Sequence, residues 1–337
     1  MRATPYVRVD PDVVDANISS MQAFCDARGI ALRPHAKTHK SLDVARRQLK
    51  AGAVGLSVAT VGEAEVFADL LAECGKDVLV AYPVAASPAR LRELAARVST
   101  VVGVDSSDGV QRAAEAGVAV SIEIDSGLRR SGVVPMDAGE LGDLARSRGV
   151  RVVGVFTFPG HGYGAGPARA DAAGDEARAL TTASAALRRA GIDLIVASGG
   201  CTPTAELTHA DAVTELRPGV YVFMDAGQIA LGAATPDQVA LTVRATVVSD
   251  AVPGQVMLDA GAKVLGMDRP GYLDSHGLVP AYPGAGSPGC GSTTASSSYP
   301  TAHLAQPWAN SSLSSPTTSA RRSTSSTSWS PATPAGR

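Results

Sequence analysis

The sequence predicts an α/β protein: a (β/α)8 barrel of the TIM type, followed by a small, incomplete antiparallel β-domain. Up to about residue 235, short apolar runs alternate with Ala/Leu/Arg/Glu-rich segments of helical period. There are eight such alternations, and a closed barrel has eight strands in ~230 residues. The runs are almost continuously apolar, which is typical of parallel strands covered by helices. An open doubly wound sheet is the alternative, since it shows the same alternation.

The predicted barrel spans residues 10–235. Its strands are predicted, in chain order, at Ala31–Leu32, Val54–Ala59, Val78–Tyr82, Val101–Val104, Val118–Ile124, Val152–Phe158, Leu194–Ala197 and Thr214–Leu216. The helical segments between them include Val13–Arg28, Leu42–Ala51, Gly62–Glu73, Pro88–Arg97, Asp108–Ala116, Ala138–Arg148 and Ala170–Arg189.

The pattern changes to period two after Asp237. Val239–Ser249 and Gln255–Ala260 flank a Val-Pro-Gly turn, which predicts an antiparallel hairpin. Tyr6–Val9 precedes the first helix, and we expect it to join this sheet. The predicted β-domain therefore comprises residues 1–9 and 236–285.

The composition changes again at Gly286. From there to Arg337 the chain has no Asp, Glu, Lys, Val, Ile, Phe or Met, and Ser, Thr, Pro and Ala dominate. Such a segment buries too little apolar surface to offset its ordering entropy. We therefore predict a disordered tail over residues 286–337.

The overall composition is that of an ordinary globular protein. The chain has 337 residues, 45% of them hydrophobic, with a formal net charge of −2. This balance gives no electrostatic argument for nucleic acid or an anionic membrane. No apolar run reaches the ~20 residues of a membrane span, and the N-terminus lacks an apolar signal region. Four scattered cysteines are typical of a reducing compartment, so we expect a cytoplasmic location.

The most informative motif is Arg33–Lys40, which reads RPHAKTHK. It follows the first strand, so Lys37 would lie at the C-terminal mouth of the barrel, where barrel enzymes place their chemistry. A free lysine amine titrates near ~10.4. Neighbouring cations and partial desolvation lower that value and free the amine for Schiff-base chemistry. The alternative is a solvated basic turn.

Two later segments are candidates for binding an anion. Ser198–Thr204 (SGGCTPT) follows the seventh strand, and Arg217–Tyr221 (RPGVY) follows the eighth. Barrels often build a phosphate site from these two loops. The glycines let the backbone approach an anion closely. A reactive lysine together with a phosphate site is the outline of a pyridoxal-phosphate site.

Two further mouth segments carry candidate residues. Arg130 lies in Gly127–Gly132 after the fifth strand, and His161 lies in Pro159–Tyr163 after the sixth. Alone, each has an ordinary explanation, as a surface arginine or as a loop histidine with a local partner.

Together these motifs resemble the D-threonine aldolase and D-serine dehydratase family, whose N-terminal domain is like that of alanine racemase (fold type III pyridoxal-phosphate enzymes). The resemblance covers about Thr4 to Ala285. Its matching stretches are Arg33–Lys40, Ala59–Glu65, Glu123–Gly132, Pro159–Tyr163, Ser198–Thr204, Arg217–Asp225, Leu258–Lys263 and Ser275–Gly277.

The resemblance implies a role for each candidate residue. Lys37 would bind pyridoxal 5'-phosphate as a Schiff base and act as a base on the substrate, with Arg130 near the cofactor ring. His161 and Tyr163 would face the cofactor. The resemblance further implies a homodimer and a small D-amino acid substrate, with D-serine and D-threonine among the possibilities. The phosphate would be held by Gly199, Gly200, Thr202, Gly219 and Tyr221.

The family also implies a divalent metal, zinc or manganese, held by a His and a Cys or Asp in a late segment such as P-N-H-x-C or P-N-H-x-D. This chain has no such segment. The late candidates Cys290 and His303 have the wrong spacing, so we predict no metal ligands in the chain as written.

We interpret the tail as a frame-shifted translation. Valine codons read one base late give serine, and the family's β-domain should be rich in valine. When plausible GC-rich codons for Asn310 to Trp329 are read from the last base of each codon, one allowed outcome contains P-N-H-V-C. The alternative is a natural disordered tail.

The sequence thus favours a metal-assisted lyase of D-β-hydroxy amino acids whose activity is impaired in this chain. An amino-acid racemase is one alternative, and it requires a second base opposite Lys37, usually a tyrosine of the β-domain of a partner subunit. A non-catalytic pyridoxal-phosphate-binding protein is the other.

Overall fold

A computed structural model describes residues 3–82, 86–193, 196–265, 270–273 and 275–279, together with the backbone of Gly289–Cys290 and Ala295–Ser298. The strands, in chain order, are Tyr6–Val9 (β1), Ala31–Leu32 (β2), Gly55–Val58 (β3), Asp77–Val80 (β4), Thr100–Val104 (β5), Ala119–Glu123 (β6), Val152–Phe156 (β7), Val196–Gly199 (β8), Glu215–Leu216 (β9), Leu241–Arg244 (β10), Val247–Ser249 (β11), Gln255–Leu258 (β12), Gly289–Cys290 (β13) and Ala295–Ser298 (β14).

The helices begin at capping residues that the sequence displays. Asp10, Ser41, Thr60, Ser87 and Ser106 each accept a hydrogen bond from a backbone N–H of the first turn that follows. The α-helices are Pro11–Asp26 (α1), Leu42–Ala51 (α2), Val61–Glu73 (α3), Pro88–Arg97 (α4), Ser107–Ala116 (α5), Ala138–Ser147 (α6), Ala168–Arg189 (α7), Ala226–Ala230 (α8) and Ala262–Leu265 (α9). None of these helices is long and apolar enough to cross a bilayer.

Eight parallel strands form the predicted barrel. Neighbouring strands follow the order β2-β9-β8-β7-β6-β5-β4-β3. The two edge strands meet, because Val54 N–H donates to Leu32 O and Ser57 N–H to Pro34 O, both at 2.9 Å. A parallel bridge between His35 and Ser57 continues this seam. The sheet therefore closes on itself, and the open doubly wound alternative is wrong.

The apolar core lies between the barrel strands and the surrounding helices, whereas part of the barrel interior is polar. Leu216 of β9 packs with Cys25 of α1, so it faces outward. Because side chains alternate along a strand, its neighbours Glu215 and Arg217 point inward. Glu215 accepts hydrogen bonds there from Arg33 Nε at 2.7 Å and Ser198 Oγ at 2.6 Å.

Antiparallel strands form the predicted β-domain. β1 pairs with β10, so Tyr6–Val9 joins a sheet of this domain as expected. β11 and β12 form the predicted hairpin. The single predicted strand Val239–Ser249 is two strands, since Thr246 between them donates its N–H to Asp259 Oδ1 at 2.8 Å. The predicted domain boundaries themselves stay predictions.

The structure differs from the predicted disordered tail at two short segments. β14 pairs with β12 and β13 pairs with β14, which gives a four-stranded sheet β11-β12-β14-β13. Backbone pairing on an open strand edge needs no apolar side chains, so a serine-rich stretch can join it. The rest of residues 286–337 lies outside the described residues.

Candidate active site

The carboxyl ends of the barrel strands bring the predicted site segments together. Lys37 Nζ and Arg130 Cζ lie 5.2 and 5.3 Å from the centroid of the Phe158 ring. The loop after β8 meets the loop after β9, because Tyr221 N–H donates to Thr202 Oγ1 at 3.0 Å. Gly219 packs against Thr38, next to Lys37. One mouth therefore collects residues from the ends of β2, β6, β7, β8 and β9.

Lys37 lies on a short 3-10 helix, Ala36–Thr38, directly after β2. Its side chain is open to the mouth. Partial desolvation by the surrounding protein lowers its pKa, and the positive charges of Arg130 and Arg217 lower it further. This confirms the predicted lowering of the lysine pKa. The cations responsible, however, come from distant strands.

Three of the four other basic residues in the motif, His35, His39 and Arg33, do not supply that charge. Burial lowers the pKa of His39 to about 4 and that of His35 well below its ordinary value, so both rings are neutral near pH 7. Arg33 points into the barrel and pairs with Glu215 and Asp77. The motif therefore shapes the strand end, and the charge around the amine comes from elsewhere.

Arg130 lies between aromatic rings and a buried acid. Its guanidinium carbon lies 5.3 Å from the Phe158 ring centroid and 5.7 Å from that of Tyr82. Arg130 Nη2 lies 3.9 Å from Oε1 of Glu123, an oxygen that also accepts a hydrogen bond from Ser131 at 2.8 Å. These contacts orient the guanidinium over the mouth beside Lys37.

The two glycines after β8 have a packing reason that the sequence analysis missed. A β-carbon on Gly199 would collide with the carboxylate of Glu176, and one on Gly200 with the Leu216 side chain. Gly200 N–H donates to Glu176 Oε1 at 2.6 Å, and its φ is +78°. The Gly200 N–H is therefore used inside the protein, which differs from its predicted use for phosphate.

Tyr221 is also occupied internally. Its hydroxyl accepts a hydrogen bond from Gln48 Nε2 at 2.9 Å in the core, and its backbone N–H donates to Thr202 Oγ1. Tyr221 is therefore placed to support the loop, which differs from its predicted contact with the phosphate. By contrast, no hydrogen-bond acceptor is found in the described part of the chain for the N–H groups of Thr202, Gly219 and Val220.

The loop after β7 holds His161 and Tyr163 next to the mouth. His161 Nε2 lies 3.2 Å from Asp175 Oδ2, and its ring packs against Gly127. The Tyr163 ring lies 6.3 Å from that of Phe158. Burial raises the pKa of the Tyr163 hydroxyl, as do the nearby groups of Cys201, Asp225 and Tyr272, so it is protonated at neutral pH.

Three residues of this region were not found from the sequence. Glu123 ends β6, and burial raises its pKa. Tyr272 belongs to the β-domain segment, yet its hydroxyl and Asp225 Oδ1 lie 3.3 and 3.1 Å from the position of a β-carbon on Gly227. Glu176 was predictable in principle: its spacing from Ala172, Ala173, Ala179 and Leu180 places it on the buried face of α7.

The residues present fit a phosphorylated aldehyde cofactor. A lysine amine of lowered pKa stands at one side of the mouth, and backbone N–H groups with no acceptor follow β8 and β9. A metal fits less well. Among the described residues no three His, Cys, Asp or Glu side chains are grouped to bind one, and the full sequence has no His-x-Cys. The side chains of Cys290 and His303 lie outside the described residues.

Comparison with known families gives two matches. The family model for the alanine racemase N-terminal domain matches residues 9–227, and a serine dehydratase domain matches residues 240–314. The second match extends past Gly286, so similarity to the family continues beyond the predicted start of the tail. The frame-shift hypothesis stays a prediction.

Individual relatives agree with these matches. The chain is 38% identical to D-threo-3-hydroxyaspartate dehydratase of Delftia sp. over 283 residues, which cover 79% of this chain and 73% of that protein. It is 34% identical to D-threonine aldolase of Arthrobacter sp. over 318 residues, covering 86% and 83%.

Solved structures show the same relationship. The structure of the Delftia sp. HT23 dehydratase superimposes with a TM-score of 0.77 at 35% identity, covering 89% of this chain and 84% of that one. A cysteine-to-alanine variant of this type of dehydratase, solved in a metal-free form, superimposes with a TM-score of 0.78 at 35% identity, with the same coverage.

Proposed function

We propose that this chain, which belongs to the alanine racemase N-terminal domain family of pyridoxal-phosphate enzymes together with D-threonine aldolase and D-serine dehydratase, is a lyase of D-β-hydroxy amino acids. The observation that carries the proposal is the amine of Lys37 at the barrel mouth, with its lowered pKa, beside Arg130 and Phe158. The curated relatives that are named as enzymes share this type of substrate.

Each residue has a task in this proposal. Pyridoxal phosphate, when bound, withdraws electrons from the α-carbon of the attached amino acid. Lys37 Nζ supplies the neutral amine that binds the aldehyde, and it can accept the α-proton in dehydration. Arg130 would place a positive charge near the cofactor ring. The N–H groups of Thr202, Gly219 and Val220 would be available to donate hydrogen bonds to the phosphate.

This chain differs from the family pattern in the groups that would act on the β-hydroxyl of the substrate. Dehydration expels that hydroxyl as water, whereas retro-aldol cleavage removes its proton and breaks the Cα–Cβ bond. Relatives are expected to use a metal here, and the sequence offers no His-x-Cys to bind one. We therefore propose that the chain as written binds the cofactor and has low lyase turnover.

Absorbance tests cofactor binding first. Adding pyridoxal phosphate to the purified chain should give a visible band that Lys37→Ala removes and Lys40→Ala, in an exposed lysine three residues away, leaves intact. Absence of the band in the unmodified chain contradicts the proposal. D-serine, D-threonine and D-threo-3-hydroxyaspartate are then assayed with and without zinc or manganese. A keto acid plus ammonia indicates dehydration, and glycine plus an aldehyde indicates aldol cleavage.

A racemase is the second candidate, because Tyr272 of the β-domain lies next to Asp225 and Tyr163. Burial and the Asp225 carboxylate raise the pKa of Tyr272, so it stays protonated near neutral pH and little phenolate is present to act as a base. This favours the lyase, and conversion of D-alanine to L-alanine by the purified chain would reverse that preference.

We also propose a cytoplasmic location and a homodimeric assembly. Cys25, Cys74 and Cys201 are free thiols, which supports a reducing, cytoplasmic compartment. The predicted homodimer is tested by light scattering of the purified chain.

A further inference from the structure

Glu176 is a buried acid directly beneath the loop that follows β8. It lies on α7 with 0% of its surface exposed. Its Oε1 accepts the Gly200 N–H at 2.6 Å, whereas its Oε2 is buried and has no hydrogen-bond partner among the described residues. No ion pair that involves Glu176 is found in that part of the chain.

This arrangement is costly for a residue that only fills space. Burying a carboxyl group with one of its two oxygens unpaired carries a desolvation penalty, which an apolar side chain on the same helix face would avoid. Its neighbours on that face, Ala179 and Leu180, are apolar. A buried polar group of this kind needs an explanation beyond packing.

The contact explains the shape of the loop. Glu176 excludes any side chain at Gly199 and draws the Gly200 N–H inward, where Gly200 has φ +78°. The chain then leads into Thr202, the first residue of a 3-10 helix, whose N–H has no acceptor among the described residues. Thr202 Oγ1 in turn accepts the N–H of Tyr221. Glu176 thus fixes one end of a chain of contacts that joins the loops after β8 and β9.

We propose that Glu176 is a positioning residue that holds these two loops in the conformation that binds the cofactor phosphate. It touches neither the substrate nor the cofactor ring, and it acts through the backbone of Gly200. The proposal rests on the proposed function, since it concerns the phosphate end of the same site. It predicts a selective effect on ligands that carry a phosphate.

Binding of pyridoxal phosphate and of pyridoxal, which lacks the phosphate, separates this role from a general structural one. Both ligands are titrated by visible absorbance into the unmodified chain, Glu176→Ala, Glu176→Gln and Asp171→Ala. Asp171 is an exposed acid on the same helix and serves as the control. We expect Glu176→Ala to weaken pyridoxal-phosphate binding about tenfold and to leave pyridoxal binding unchanged. Glu176→Gln keeps an acceptor for the Gly200 N–H, so it should restore most of the affinity.

Other outcomes overturn the proposal. Equal loss of both ligands in Glu176→Ala would show a general structural role, and no loss of either would show no role. If Glu176→Ala does not fold, Glu176→Asp replaces it, because the shorter carboxylate keeps the charge but cannot reach Gly200 in the same position. An unmodified chain that binds neither ligand contradicts the proposed function itself, and this inference with it.

Discussion

The ε-amino nitrogen of Lys37 lies 5.2 Å from the centroid of the Phe158 ring, at the mouth of the barrel. Arg130 approaches the same ring, with its guanidinium carbon 5.3 Å from the centroid. Two cationic side chains from different strand ends therefore share one aromatic neighbour. A positive charge so near an amine favours its neutral form, and only the neutral amine is a nucleophile.

We expect Arg130→Met to raise the pKa of Lys37, because the Arg130 charge is the second largest cause of its lowering, after desolvation. The pH profile for the rate of Schiff-base formation with pyridoxal should move to higher pH, with a slower reaction at neutral pH. Arg129→Met is the matched control, since Arg129 is an exposed neighbour that does not contribute to the lowering. Identical profiles for both variants would contradict the electrostatic explanation.

Arg33 has a structural role, although it belongs to the most informative motif. It pairs with Glu215 and Asp77 and is itself 8% exposed. Arg33→Met leaves the Glu215 charge buried without its main partner, so we expect a loss of about 3–5 kcal/mol in the free energy of unfolding. Arg46→Met removes an exposed ion pair with Asp43 and should cost less than about 1 kcal/mol. Urea unfolding measures both, and equal costs would argue against a role for the buried pairs.

Much of this arrangement follows from local patterns. The strand–helix alternation predicted the barrel, and the position of Lys37 after a strand predicted its place at the mouth. What the sequence could not show is which side chains meet across strands. The charges around Lys37 come from Arg130 and Arg217, while His35 and His39 are neutral because they are buried.

The two glycines after β8 show the same limit. The sequence predicts that Gly199 and Gly200 allow close approach to an anion. The structure shows that they are required by Glu176 and Leu216. Glycine spacing in a sequence indicates that something approaches the backbone closely, but only the packing of α7 and β9 against this turn identifies what approaches.

Glu176 should make the stability of the unliganded protein depend on pH. Burial raises its pKa from 4.5 to about 7. Between these values the folded protein holds a proton that the unfolded chain has lost, so the free energy of unfolding falls as pH rises through this window. The full contribution of this residue is about 3 kcal/mol, present below about pH 4.5 and lost above about pH 7.

Glu176→Gln removes this titration and gives the test. Urea unfolding at pH 5 and pH 8 should show a smaller difference between the two pH values in the variant than in the unmodified chain. Asp171→Ala again serves as the control, because Asp171 is exposed. If the variant and the unmodified chain show the same pH difference, Glu176 titrates normally and the inferred effect of burial is wrong.

The coding sequence should explain why the expected metal ligands are missing. The family resemblance implies a late His-x-Cys or His-x-Asp, and this chain reads as serine-, threonine- and proline-rich where that segment belongs. We expect the nucleotide sequence beyond Gly286, translated in the neighbouring frame, to encode P-N-H-x-C within the codons of Asn310 to Trp329.

A chain expressed in the corrected frame should bind about one zinc or manganese ion per site, since a histidine nitrogen and a thiolate are ligands that zinc favours. It should also gain lyase turnover that chelation removes and added metal restores. The chain as written is the matched control, and it should bind neither ion stoichiometrically. An uninterrupted gene whose neighbouring frames lack that motif would contradict the frame-shift hypothesis and leave a natural serine-rich tail as the explanation.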